Sequence, residues 1–156
     1  MADGVVAEEL DDLRYLGGVF AGVEAQFRDL DYTETLRGFM PVLQQEEARQ
    51  FSQQADAAGR AWPKLSPVTI ARKGHDRILV ETGRLRASLE SQNGDSVRAT
   101  SHRGLLFGTA VPYSIFHQTG GRRLPQREHV GMNSEACDKL TATVADATVR
   151  GLKATV

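Results

Sequence analysis

The sequence predicts an α+β fold, a small antiparallel sheet packed with long N-terminal and C-terminal helices. Three observations carry this. Apolar residues recur every three or four positions near both ends of the chain. The middle changes to short apolar runs separated by turn formers, and Asn93-Gly94 supplies its strongest hairpin signal. The 156 residues suit one domain, 1–156, that buries its own core, with residues 1–32 read as a helical extension.

The elements follow in order. Val6, Leu10, Leu13, Leu16, Phe20, Val23, Phe27 and Leu30 predict a helix over 5–30, weakened at Gly17-Gly18 and broken by "DLDYT". Leu36, Phe39, Met40, Leu43, Phe51, Ala55 and Ala58 predict a second helix. Pro41 is placed in the first turn of its main segment and Gly59 at its C-cap. Ser66-Pro67 caps a short helical turn. "RILVE" reads as a strand, and Thr82 as the cap of a short helix with Leu85 and Leu89 on one face. "GLLFGTA" continues the sheet. Pro112 opens a turn of helix through Tyr113, Ile115 and Phe116, ended by Gly120-Gly121. A last helix starts at Asn133 or Ser134 and runs near Leu152, with Ala136, Cys137, Leu140, Val144 and Ala147 inward.

Net charge is −1, but its distribution is uneven. Residues 1–59 hold 12 acidic and 4 basic side chains, whereas 60–130 hold 5 and 12. Such a split fits nucleic-acid contact or opposite faces that attract one another between subunits. No apolar run is long enough to cross a bilayer, so no membrane partner is expected. The acidic N-terminus has no signal-peptide pattern. Cys137, the single cysteine, forms no internal disulfide and reads as a small apolar helix residue.

The polar stretch "VPYSIFHQTGGRRLPQREHVG", residues 111–131, concentrates the candidate chemistry. His102, His117 and His129 are 15 and 12 residues apart, unlike the short ligand pairs of zinc sites, so neither metal nor cofactor is expected. Ser88 and Ser114 lack a G-x-S-x-G elbow. Acids are sparse in the polar middle, which leaves no paired carboxylates for acid–base work. An enzyme is not expected. "QTGGRR" lacks the P-loop order and reads as an exposed loop tip suited to protein contacts.

Four motifs stand in order: Gly59-x-x-Trp62-x-x-Leu65-Ser66-Pro67-x-Thr69, Leu79-x-x-Thr82-Gly83-x-Leu85-x-x-Ser88, Tyr113-x-x-x-His117-Gln118-x-Gly120, and Pro125-x-Arg127-x-x-x-Gly131. Together, over roughly residues 35–150, they resemble the phage virion morphogenesis family. These are the tail completion proteins of Mu-like and P2-like phages, similar to those of long-tailed siphophages. One departure is that Glu128 and His129 follow Arg127, where the family usually has a proline and an aromatic.

The resemblance implies a virion protein of the tail and neck, assembled in the host cytoplasm. It implies a homo-oligomeric ring, generally a hexamer, that joins tail to head beside a tail terminator and head-closure or connector proteins. Genomic DNA would pass through its lumen without specific binding. Beside it, the residues themselves predict a non-catalytic site. Trp62 anchors the "WPKLSP" loop on the core. Thr82 and Gly83 form a cap and a tight turn. Tyr113 and Phe116 pack, while His117 and Gln118 hold backbone groups and Gly120 turns the chain. Arg122, Arg123 and Arg127 lie on an exposed loop as assembly contacts. The alternative is a nucleic-acid-binding module using the basic segment 60–130, with salt-sensitive affinity.

Overall fold

A computed structural model describes residues 18, 21–22 and 24–154, and among them the expected α+β architecture holds. The first helix, α1, is described at 18, 21–22 and 24–28 and ends in a turn at Asp29. The stripe residues Val6, Leu10, Leu13, Leu16, Phe20 and Val23 lie outside the described residues.

Helix α2, Thr33–Gln53, buries Leu36, Phe39, Leu43 and Phe51. It runs through Pro41, which therefore does not sit in a first turn. The turns before it are held by a Glu34–Arg37 ion pair and by packing of Leu36 and Phe39, enough to carry one missing N–H. Gly59 is not the C-cap. That place is taken by Gln54, whose φ of 51° is left-handed. Tertiary bonds hold this non-glycine residue there: its Oε1 accepts from Ile78 N at 2.6 Å and its carbonyl from Trp62 N at 2.8 Å. Gly59 instead closes the next turn, donating to Asp56 O at 2.9 Å.

Helix α3, Pro67–Lys73, begins as its sequence dictates, with Ser66 Oγ accepting from Thr69 N at 3.2 Å. "RILVE" is a turn rather than a strand: Leu79 has φ 58°, and Ile78 and Val80 are buried without strand pairing. Two apolar residues at period two satisfied the strand pattern, but the core needed only their side chains. In α4, Arg84–Glu90, the cap residue is Gly83 at φ 81° rather than Thr82, whose Oγ1 accepts from Arg84 N only at 3.4 Å. Leu85 and Leu89 are buried, as the spacing predicts.

Strands β1, Ser96–Ser101, and β2, Gly104–Thr109, pair antiparallel from Ser96↔Thr109 to Ser101↔Gly104. The hairpin turn is His102-Arg103, so Asn93-Gly94 does not make it. Asn93 forms a local turn before β1, its Oδ1 accepting from Asp95 N at 2.9 Å and its carbonyl from Ser96 N at 3.0 Å. Arg98 fastens the hairpin to α4. Its guanidinium donates to the carbonyls of Gly108, Ser88 and Leu89 at 2.8, 3.0 and 2.8 Å and lies 3.8 Å from the centre of the Phe107 ring.

Helix α5, Ser114–Thr119, ends at Gly120. Helix α6, Ser134–Ala154, is capped by Asn133, whose Oδ1 accepts from Ala136 N at 2.7 Å. Ala136 is buried and Leu140, Val144 and Ala147 are half-buried, but Cys137 is exposed. Adjacent residues point about 100° apart around a helix, so Ala136 and Cys137 do not share the inward face. The core gathers Phe51, Trp62, Ile78, Val80, Leu85, Leu89 and Val111, with α2 packed on α4, α6 and the hairpin.

Candidate functional site

The 111–131 segment leaves the sheet through buried Val111, makes α5, and returns along the core past the "WPKLSP" loop. Three anchors fix it. Trp62 is 4% exposed, its ring meets Phe51 edge-on at 5.5 Å, and its Nε1 donates to Glu128 O at 2.7 Å. Gln118 Oε1 accepts from the backbone N–H of His129 and Val130 at 3.0 and 3.2 Å, and its Nε2 donates to Val130 O at 3.1 Å. Ser114 Oγ and His129 Nε2 lie 2.8 Å apart, with His129 Nδ1 3.0 Å from Arg127 O.

No sequence signal joins this last pair, since 15 residues separate the partners. His129 is wholly buried, and burial holds its imidazole below the usual range. Bonded on both sides in the neutral form, it donates from Nδ1 and accepts the Ser114 hydroxyl at Nε2. A serine on a histidine is the start of a nucleophile–base pair, but Nδ1 meets a backbone carbonyl where a triad has a carboxylate. The pair fastens α5 to the returning chain. His117 behaves otherwise than expected. Its Nδ1 is buried without a hydrogen-bond partner, and its backbone carbonyl, not its ring, ties the loop by accepting from Arg127 N at 2.8 Å.

The loop itself needs Gly120. Its φ is 70°, and a Cβ there would stand 2.9 Å from the backbone nitrogen of Gln126. Beyond it Gly121 and Leu124 bridge, which holds Arg122 and Arg123 exposed at the tip. Arg127 is not with them. It is 5% exposed, and its guanidinium donates to Pro63 O at 2.9 Å and Lys64 O at 3.3 Å. The reason is spatial: the returning chain runs beside the loop after Trp62, where an arginine reaches both carbonyls.

The same segment is clamped from α2. Gln50 Nε2 donates to Gly131 O at 3.0 Å and Glu47 Oε1 accepts from Gly131 N at 3.3 Å. Glu47 is buried with Oε2 unpartnered, and burial pushes its carboxyl up to about 8. Among the described residues, no three His, Cys, Asp or Glu side chains gather as a metal site would need, and no helix is long and apolar enough to cross a membrane.

A model of the phage virion morphogenesis family matches residues 13–148. The chain belongs to that family. No curated protein and no solved structure matches it. Its coarse role is thereby structural or in assembly of the phage virion, as a virion component.

For a virion morphogenesis protein the exposed side chains are the informative ones. Tyr113 and Phe116 do not pack as expected: with Ile115 they are 40, 62 and 57% exposed. Ser114, between them in sequence, takes the inward place on α5, because its hydroxyl meets His129. This virion morphogenesis protein also uses most of its basic segment internally. Arg60, Arg72, Arg84 and Arg86 pair with Asp56 and Glu128, Glu81, Asp95 and Glu90. Arg98, Arg103 and Arg127 bond backbone carbonyls. Arg122 and Arg123 stand exposed with no such bond.

Proposed function

We propose that this chain is a subunit of the tail completion, or neck, ring at the head–tail junction, which joins tail to head around the DNA exit channel. The observation that carries the reading is the family match over residues 13–148. The surface supports it. Exposed Tyr113, Ile115 and Phe116 on one short helix, and exposed Arg122 and Arg123 on the loop that follows it, offer apolar and charged groups for a partner. Arg122 and Arg123 are the assembly contacts. Arg127 belongs to the fold and leaves that role. DNA passes through the lumen without specific binding, in keeping with arginines already engaged by carboxylates and carbonyls.

The test is microscopy of phage particles that carry a labelled copy of this protein, beside particles made without it. A ring of label between head and tail, and separate full heads and tails in its absence, are expected. Label at the distal tail tip, or intact particles without the protein, would overturn the reading.

A further inference from the structure

Among the described residues, α1 is fastened at its end. Arg103 bonds the carbonyls of Phe27 and Arg28, Tyr32 N donates to His102 O at 2.9 Å, and Leu30 lies against Gly151. Before that point every described residue from 21 to 29 is exposed, Phe27 among them. Residues 27–32 therefore meet the domain at the hairpin turn, while α5 begins beyond the other end of β2. Six strand residues separate the two ends, roughly 20 Å.

The sequence of residues 3–14 matches the α5 patch. Val6, Leu10 and Leu13 recur at i, i+4 and i+7, one face of a helix. Around them stand Asp3, Glu8, Glu9, Asp11 and Asp12 against a single arginine, Arg14. The patch offers the complement: Ile115 and Phe116 exposed on α5, and Arg122 and Arg123 exposed and unpaired. A groove of 340 Å³ beside α5, lined by Val111, Ile115 and Val130 among others, gives apolar side chains a place to enter. Apolar meets apolar, and carboxylate meets guanidinium.

We infer that residues 5–16 of one copy dock on the α5 face and arginine loop of a second copy. This rests on the reading that copies assemble into a ring, and it names the contact between neighbours. An arm that crosses to the next subunit adds buried surface to each interface and fixes the direction of the ring, since arm and patch are different surfaces.

The experiment uses a dye-labelled peptide of residues 1–18 titrated with the full-length chain, read by fluorescence anisotropy. Saturable binding is expected. It should weaken by about tenfold or more with Arg122→Glu/Arg123→Glu and, separately, with Phe116→Ser, both exposed positions whose melts report folding. A peptide carrying Glu8→Lys, Glu9→Lys, Asp11→Lys and Asp12→Lys should reverse the order, binding the double-glutamate chain better than the native one. No saturable binding, either surface change without effect, or no reversal overturns the proposal. Such a failure leaves the neck assignment standing, because labelled particles test that separately.

Discussion

The indole of Trp62 donates a 2.7 Å hydrogen bond to the carbonyl of Glu128, 66 positions along the chain. Through this bond the loop after α2 holds the segment that returns from α5. The T-shaped contact with Phe51 places the same ring against α2. One side chain thus joins three parts of the fold.

Trp62→Ala is expected to destabilise by about 3–5 kcal/mol, the range for emptying a buried aromatic site. Trp62→Phe keeps most of the apolar surface but leaves Glu128 O without its donor, at about 1–3 kcal/mol. Denaturant melts of the three proteins check the order. Equal stability of the phenylalanine variant and the wild type would remove the hydrogen bond from the account.

Two glycines with positive φ separate backbone strain from collision. Gly59, at φ 81°, has open space where a Cβ would stand, so Gly59→Ala should cost about 1 kcal/mol. Gly120→Ala meets Gln126 as well and should cost more than about 2 kcal/mol. Thermal midpoints compare them directly. Equal midpoints would show that the loop gives way at Gln126.

The three arginines of the loop divide into two classes. Arg122→Glu with Arg123→Glu should leave the melt within about 0.5 kcal/mol of wild type and block particle completion. Arg127→Ala should instead cost about 2–3 kcal/mol, because a buried guanidinium and its charged hydrogen bonds to Pro63 O and Lys64 O are lost together. A melt beside a complementation assay distinguishes them. Normal infectious yield from the double glutamate variant would end its role as an assembly contact.

Buried titratable groups predict how stability varies with pH. Glu47 is raised from 4.5 to about 8 by burial, while its bond to Gly131 N and the charge of Arg98 act the other way. Between those values the unfolded chain has lost a proton that the folded chain keeps, so this group's contribution falls as pH rises from 4.5 to 8. Glu47→Gln should gain on the wild type across that window, by a few kcal/mol at most, and level off above it. His129 and His117 are lowered by burial, so below about 6.5 the unfolded chain takes up protons that the fold refuses. Stability from them is lost as pH falls through that value. Melts at pH 5, 6.5 and 8 read both slopes, and a Glu47→Gln difference constant over the series would place that carboxyl in water.

Much of this architecture is local in origin and was legible residue by residue. Ser66 caps α3, Asn133 caps α6 and Gly120 stops α5 because each acts on backbone groups within four positions. Part of the site was legible too: a side-chain amide can hold backbone on both its faces, and Gln118 does so with His129 and Val130 of the segment that follows. Burial is a different quantity, since it depends on what the rest of the chain brings alongside. Asn93-Gly94 carried a hairpin signal, yet the strands paired across His102-Arg103, where the register of β1 on β2 placed the turn. Arg127 read as exposed from its neighbours in sequence and is buried where the returning chain meets a distant loop, whose Pro63 and Lys64 carbonyls it bonds. Tyr113 and Phe116 read as core and face outward because Ser114 had a buried histidine to meet. Capping and helical period act over a few residues and are written in the chain itself, whereas pairing and desolvation act between segments and were decided only when the chain closed on itself.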